Sequence, residues 1–494
     1  MTDDSDFTVL ITRRGAQAAQ PPTSAEPTGA ALLAEVPEAL HPALRCLAAE
    51  LITRPRLLAE GARMAIEAVN AIIDAAMTGQ LNLVLHHPEF QALEASWRGL
   101  HFLVRDVESE PMLKIRLFDI SLRELGRTLR KFRGTAWDNS PIFKKIYEEE
   151  FGQLGGEPFG VLIGDYYFDH QPQNIQTLSD VAMIAAAAHV PFIAGASPAL
   201  MQMDSWTELA NPRDLTRIFQ TPEYTAWRSL RTQEDTRYIG LCMPRMLSRL
   251  PYGTKTDPVE DFSFEEDVEG PDASKFAWSN PAFAMGANVA RSFSLYGWCT
   301  RIHGIQSGGI VEGLPVLRFE TADGEVDTRS STEIALNERR EAELAGLGLI
   351  PLLHRKNTGY AAFVSAHSLH KPMEYDDAAA TANALLSARL PYMFACSRFA
   401  HYLKCLVRDK VGGTMSATQL QNWLTNWLMG YVDGSPSTSN EEWKASHPLE
   451  DAEVTLEAKP DRPGEYEARF YLKPHYQLEG LAVSLRLVSR LPAQ

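Results

Sequence analysis

Residues 86–104 read HHPEFQALEASWRGLHFLV. Pro88 suits the first position of a helix, where a missing N–H costs nothing, and Glu89 complements the positive end of the helix dipole. Phe90, Leu93, Trp97, Leu100 and Val104 then recur at steps of three and four, which predicts a helix with one apolar stripe docked on a core. Upstream, residues 59–77 carry Met64, Ala68, Ile72 and Met77 on one side, with Gly79 as the expected C-cap. Downstream, residues 113–120 (LKIRLFDI) alternate strictly, the pattern of a half-buried strand. Helical text over 122–132, 142–151 and 177–188 is then interleaved with short apolar runs at 159–164, 191–194 and 237–243. Strand and helix alternating at this spacing predict an α/β core built on a mixed sheet.

The rest of the chain adds punctuation. Residues 257–272 (DPVEDFSFEEDVEGPD) hold eight carboxylates and no base, expected as a solvated loop. Asn337 caps a helix, and residues 349–354 and 360–364 flank Asn357-Thr358-Gly359 as a hairpin. Pro391 should kink or divide a helical region over 378–411. In residues 416–429, Leu420, Trp423, Leu424, Trp427 and Leu428 form a stripe with helical spacing. Residues 434–440 read as a linker, and 454–457, 465–472 and 481–491 as strands. The expected division is an arm over 1–58 (unstructured text and short helices), an α/β core over 59–430, and a linker with C-terminal strands over 431–494.

Composition narrows the function classes. Apolar residues make up 45% and charged residues 22% of 494, an ordinary globular balance, and the net charge of −16 disfavours nucleic acid or anionic membrane as a partner. Five cysteines (46, 242, 299, 396 and 405) form no CxxC pair, which suits a reducing cytoplasm. No secretory signal is visible in MTDDSDFTVLITRR, and the apolar run over 181–196 is too short to span a bilayer. Asp165, Asp169 and His170 follow a strand, where α/β enzymes keep their sites, so a metal or acid/base site there is the rival reading. No further ligand cluster accompanies them, and a strand-end loop is the plainer reading. Residues 304–309 (GIQSGG) lack the Gly-Lys-Ser/Thr ending of a phosphate loop. Arg398, His401, Lys404 and Arg408 share a helical face, either a solvated side or a patch for an acidic partner. No catalytic residue, metal ligand or cofactor is assigned.

Several stretches carry a family resemblance, in this order: PFIAGASP (191–198), DPVEDFSFEE (257–266), WSNPAFAMGANVARSFSLYGWCTRIHG (278–304), NERREAELAGLGLIPLLHRKNTGYAAF (337–363), LPYMFACSRFAHYLKCLVRDKVG (390–412) and YLKPHYQLEGLAVSLRLVSRLP (471–492). Together with the opening helix they resemble the TssC/VipB family, the large subunit of the type VI secretion contractile sheath. The resemblance implies a core of phage-tail-sheath type, a helical N-terminal arm and C-terminal strands that join a sheet between subunits. It further implies a cytoplasmic complex with a small sheath subunit of the TssB/VipA type, polymerised with itself into a helical tube. That tube surrounds inner-tube hexamers, meets a baseplate and contracts. It implies no enzyme activity, cofactor, nucleic acid or membrane insertion. Expected partner-facing residues are Phe90, Trp97, Arg398, Lys404, Arg408, Trp423, Trp427, Leu485 and Leu487. Leu32 and Leu33, in ALLAE, are the nearest match to the helix that this family offers to a recycling unfoldase ATPase of the ClpV type.

Overall fold

Three apolar runs set the centre of the molecule. In a computed structural model, which describes Arg45, Ala49 and residues 62–475 apart from 106, 108–111, 212–213, 261, 269–272, 321–325, 357, 411–415, 437 and 459–465, they lie side by side in one sheet. Its strands are Leu162–Phe168 (β1), Phe192–Ala196 (β2), Ile239–Met243 (β3), Ile310–Val311 (β4), Ile350–His354 (β5) and Ala361–Phe363 (β6), in the order β1-β2-β3-β5-β6-β4. The first four in that order run parallel and the last two pairings are antiparallel, so the sheet is mixed. β2 (FIAGA) and β3 (IGLCM) are buried throughout. Strands covered on both faces need no polar beat, which explains their continuous apolar text.

The main helices are Ala62–Leu85 (α1), Pro88–Arg105 (α2), Pro172–Ala188 (α3), Ala282–Tyr296 (α4), Leu390–Lys410 (α5) and Ala417–Met429 (α6). The chain divides into two compact units, Met1–Met77 and Thr78–Gln494. Within the second, Leu178, Ala182 and Ile184 of α3 join Phe168, Trp206, Tyr224, Trp227 and Leu241 in one core. Phe283 and Met285 of α4 join Phe102, Leu103, Ile193 and Ile350 in another. A third gathers Phe399 and Leu403 of α5, Leu424 and Leu428 of α6, and the antiparallel pair Leu449–Ala458 (β7) and Tyr466–Pro474 (β8). α6 opens on a capping box between Ser416 and Gln419, which satisfies two end N–H groups reciprocally.

Three expectations change. α1 does not stop at Gly79 but runs on to Leu85, since a glycine inside a helix costs only about 1 kcal/mol. Pro391 marks a division of the helical region, as expected: one helix, Ala378–Ser387, ends ahead of it, and Pro391 is the second residue of α5, where no N–H is required. The alternating residues 113–120 lie outside every described strand, because no described strand lies alongside to pair with them. The linker over 434–440 is folded at its start, where Asp433 accepts bonds from Ser435 N at 3.0 Å and Ser439 Oγ at 2.9 Å. The β5–β6 hairpin forms as the spacing predicts, with Ala361 opposite His354. Two of the three expected C-terminal strands are β7 and β8, and the third falls outside the described residues, as do Leu32, Leu33, Leu485 and Leu487.

Candidate assembly interface

α2 has two apolar faces, and the sequence stripe is the outer one. The inner face is Gly99, Phe102 and Leu103, set against α4. Gly99 is obligatory there, since a Cβ would overlap the Phe283 ring. Ser279 donates to the Ala95 carbonyl at 2.7 Å, and Ser96 to Asp165 Oδ2 at 2.5 Å. The stripe expected to dock instead faces out: Leu93 is 57% and Trp97 64% exposed, and Phe90 and Val104 are exposed too. Only Leu100 turns toward the core. Spacing of three and four identifies an apolar face but does not say which face meets the core, and the small residues Ala95 and Gly99 let the other side approach closer. Just before α2, Leu81, Leu83 and Val84 extend the exposed apolar surface.

An ion network holds α2 in place. Glu94 accepts from Arg249 Nε at 2.6 Å and from Arg98 Nε at 2.7 Å. Arg249 also grips the buried Glu266 through two bonds, at 2.5 and 3.0 Å, and its guanidinium lies 4.4 Å from the Tyr252 ring centroid. Burial raises the pKa of Glu94, but the Arg249 and Arg98 bonds more than reverse this and hold its carboxyl below the usual range. The acidic stretch 257–272 is therefore not simply a solvated loop. Glu266 is buried, and Glu265 accepts from the Thr254 backbone at 3.0 Å. Sequence reasoning missed Arg249; its signal is a single arginine just ahead of a run of carboxylates.

The basic face of α5 turns inward. His401 is buried, and its Nε2 lies 2.9 Å from the Ala188 carbonyl. Half-buried Lys404 holds its ammonium 3.5 Å from the Phe151 ring centroid and 4.6 Å from that of Tyr147. Arg398 lies 4.8 Å from the Tyr402 ring and 5.2 Å from the Phe293 ring. Arg408 donates to the Gln153 carbonyl at 2.6 Å. A solvated charge patch is thus corrected to a cation–aromatic seam within the chain, because rings from neighbouring segments offer their negative faces to these cations. Trp423 and Trp427, expected at a partner interface, are both half-buried in the third core, with Trp427 5.1 Å from Tyr431.

The residues of the rival reading have structural partners. Asp165 lies within β1 rather than after it. Asp169 accepts from Gln171 N at 2.9 Å and Asn174 Nδ2 at 2.6 Å, bonds that start α3. His170 bonds the Ala199 carbonyl and stacks on Tyr224, ring centroids 4.7 Å apart. Among the described residues no cluster of three His, Cys, Asp or Glu side chains is placed to hold a metal.

Comparison with known proteins separates the readings. Residues 67–370 match the tail sheath N-terminal domain of the VipB type, and residues 379–491 match the tail sheath gpW/gp25-like domain. The type VI secretion system sheath protein TssC1 of Pseudomonas aeruginosa is 59% identical over 456 residues, 92% of each chain. Among solved structures, the anti-feeding prophage baseplate aligns with 76% of this chain and 83% of its own at 10% identity and a TM-score of 0.38. The contracted helical sheath of that prophage aligns with 62% of this chain and 66% of its own at 11% identity and a TM-score of 0.30. The two sheath domains matched in order, and the identity across nearly the whole chain, show that this protein belongs to the VipB tail sheath family.

Proposed function

We propose that this chain is the large structural subunit of a type VI secretion contractile sheath, acting in the cytoplasm. It joins a small sheath subunit of the TssB/VipA type, and the pairs stack into a helical tube around inner-tube hexamers on a baseplate. The single observation that carries the reading is the outward stripe of Phe90, Leu93, Trp97 and Val104 on a helix whose other face is already in the core. Such surface on a folded domain marks an interaction site. Obligate interfaces commonly bury more than about 2,000 Å². The segment Glu67–Leu85 is long and apolar enough to cross a membrane by length and composition, and we assign it to protein contact. Leu485 and Leu487 belong, in this reading, to a strand that joins subunits, and Leu32 and Leu33 to unfoldase docking.

Expression with and without the small subunit tests this. Alone, the chain should aggregate; together, the two should copurify as a stoichiometric complex. A monodisperse monomer with a single cooperative melt, indifferent to the small subunit, would contradict the proposal.

A further inference from the structure

Residues 113–120 carry the alternation of a strand, and no described strand accompanies them. Between 114 and 117 their side chains alternate in what they meet. Lys114 is ion-paired with Glu157, and Arg116 with Glu150 and Glu157, the last at 3.0 Å. The Arg116 guanidinium also lies 5.6 Å from the Phe159 ring, and the Lys145 ammonium 5.9 Å from the Phe118 ring. Lys114 and Arg116 are thus fastened to residues 150–159 of the same chain, while Phe118 remains exposed. Ile115 and Leu117 are exposed too, Leu117 at 71%. Further along, the Ile120 carbonyl accepts from Tyr166 Oη at 2.6 Å. The segment therefore touches residues just before β1 and then residues near its end, following the outermost strand of the sheet. Among the described residues, none of the backbone groups of 113–119 is bonded to another backbone group.

We infer that residues 113–119 are a docking strand that receives a strand from the small sheath subunit; this rests on the function proposed above. N–H and C=O groups with no backbone partner among the described residues, set along an alternating segment, are satisfied side by side by another strand, which neither lipid nor nucleic acid supplies. Lys114 and Arg116 are already neutralised by Glu150 and Glu157, so the occupant need not be acidic. Ile115 and Leu117 call instead for apolar residues at alternate positions. A second copy pairing through the same segment would make a two-fold contact that closes on itself, whereas a tube needs contacts that propagate. The fastened side chains hold the segment ready, which lowers the ordering cost of binding.

A photo-crosslinking residue at position 117, in the full chain coexpressed with the small subunit, identifies the occupant. Amide exchange of the copurified complex then tests strand pairing. We expect crosslinks to the small subunit, and exchange over 113–119 at least about tenfold slower than for an unstructured peptide of that sequence, as paired amides show. Leu117→Asp should leave the melting temperature of the fold unchanged and reduce recovery of the small subunit at least about tenfold, on the scale of a well-placed interface residue. Crosslinks to a second copy would overturn the inference. So would copurification with unprotected 113–119 amides, and in both cases the proposed function would survive. Failure of the wild-type chain to copurify with the small subunit would overturn that function and this inference with it.

Discussion

His401 shows what a single buried group does to this protein. Its Nε2–H donates to the Ala188 carbonyl at the end of α3, and its ring meets Phe151 edge-on at 5.2 Å. Burial lowers its pKa to about 4; the Ala188 bond opposes this, and Arg398, His189 and Lys404 add to it. An unfolded histidine titrates near 6.5. Below that pH the unfolded chain takes up a proton that the folded chain refuses, so the contribution is complete above about 6.5 and is lost as pH falls toward about 4. His189, lowered by burial and then by Lys404, acts in the same direction. The midpoint of thermal melting should therefore fall across that window, and His401→Gln should flatten the fall by about 3 kcal/mol. An unchanged slope in the variant would show that His401 does not carry the effect. Gly99→Ala tests a steric claim: with Phe283 where a Cβ would sit, it should cost about 1–3 kcal/mol, read as a lower melting midpoint. Neither role is legible in sequence. Helical spacing puts His401 with Arg398 and Lys404, but only the packed rings reveal that this face points inward.

α2 is the element on which function turns, because its two faces do different things. Phe102→Ala should cost about 3–5 kcal/mol by opening a cavity in the core. Leu93→Asp with Trp97→Asp should shift stability by no more than about 0.5 kcal/mol, as exposed substitutions do, yet prevent assembly with the small subunit. Loss of folding in that double variant would mean that the stripe serves the core after all. The cation–aromatic seam of α5 yields the opposite expectation. Arg398→Glu with Lys404→Glu should lower the melting temperature of the chain itself, since two cations leave ring faces and carboxylates replace them. An unchanged melting temperature with weakened assembly would restore the charge-patch reading. The sequence made both helices legible, with limits of α2 nearly to the residue. Orientation was not legible, because the periodicity of a docked stripe equals that of an exposed one. Residues 113–120 fail differently: their alternation states a preference for a strand, and a strand needs a neighbour that the described residues do not provide.

At the scale of the molecule, the apolar runs that became β2 and β3, the β5–β6 hairpin and the mixed sheet could all be read from sequence. Burial on both faces writes continuous apolar text, and turn chemistry marks the hairpin. The ion network of Glu94, Arg249 and Glu266 could not, since its members stand up to 172 positions apart, from 94 to 266. β7 and β8 pack with α6 and α5 in the third core through Val454, Phe470 and Leu472 rather than standing as an isolated hairpin, so they should hold without residues 481–494. Deleting those residues should leave the core folded and bound to the small subunit while abolishing tubes, and tubes of normal length would move the link between subunits elsewhere. The most direct measurement is negative-stain electron microscopy of the chain coexpressed with its small subunit. Long hollow tubes that vanish with Leu93→Asp and Trp97→Asp are the expected result; a field of discrete particles from the wild-type pair, with no tubes, would contradict a sheath subunit.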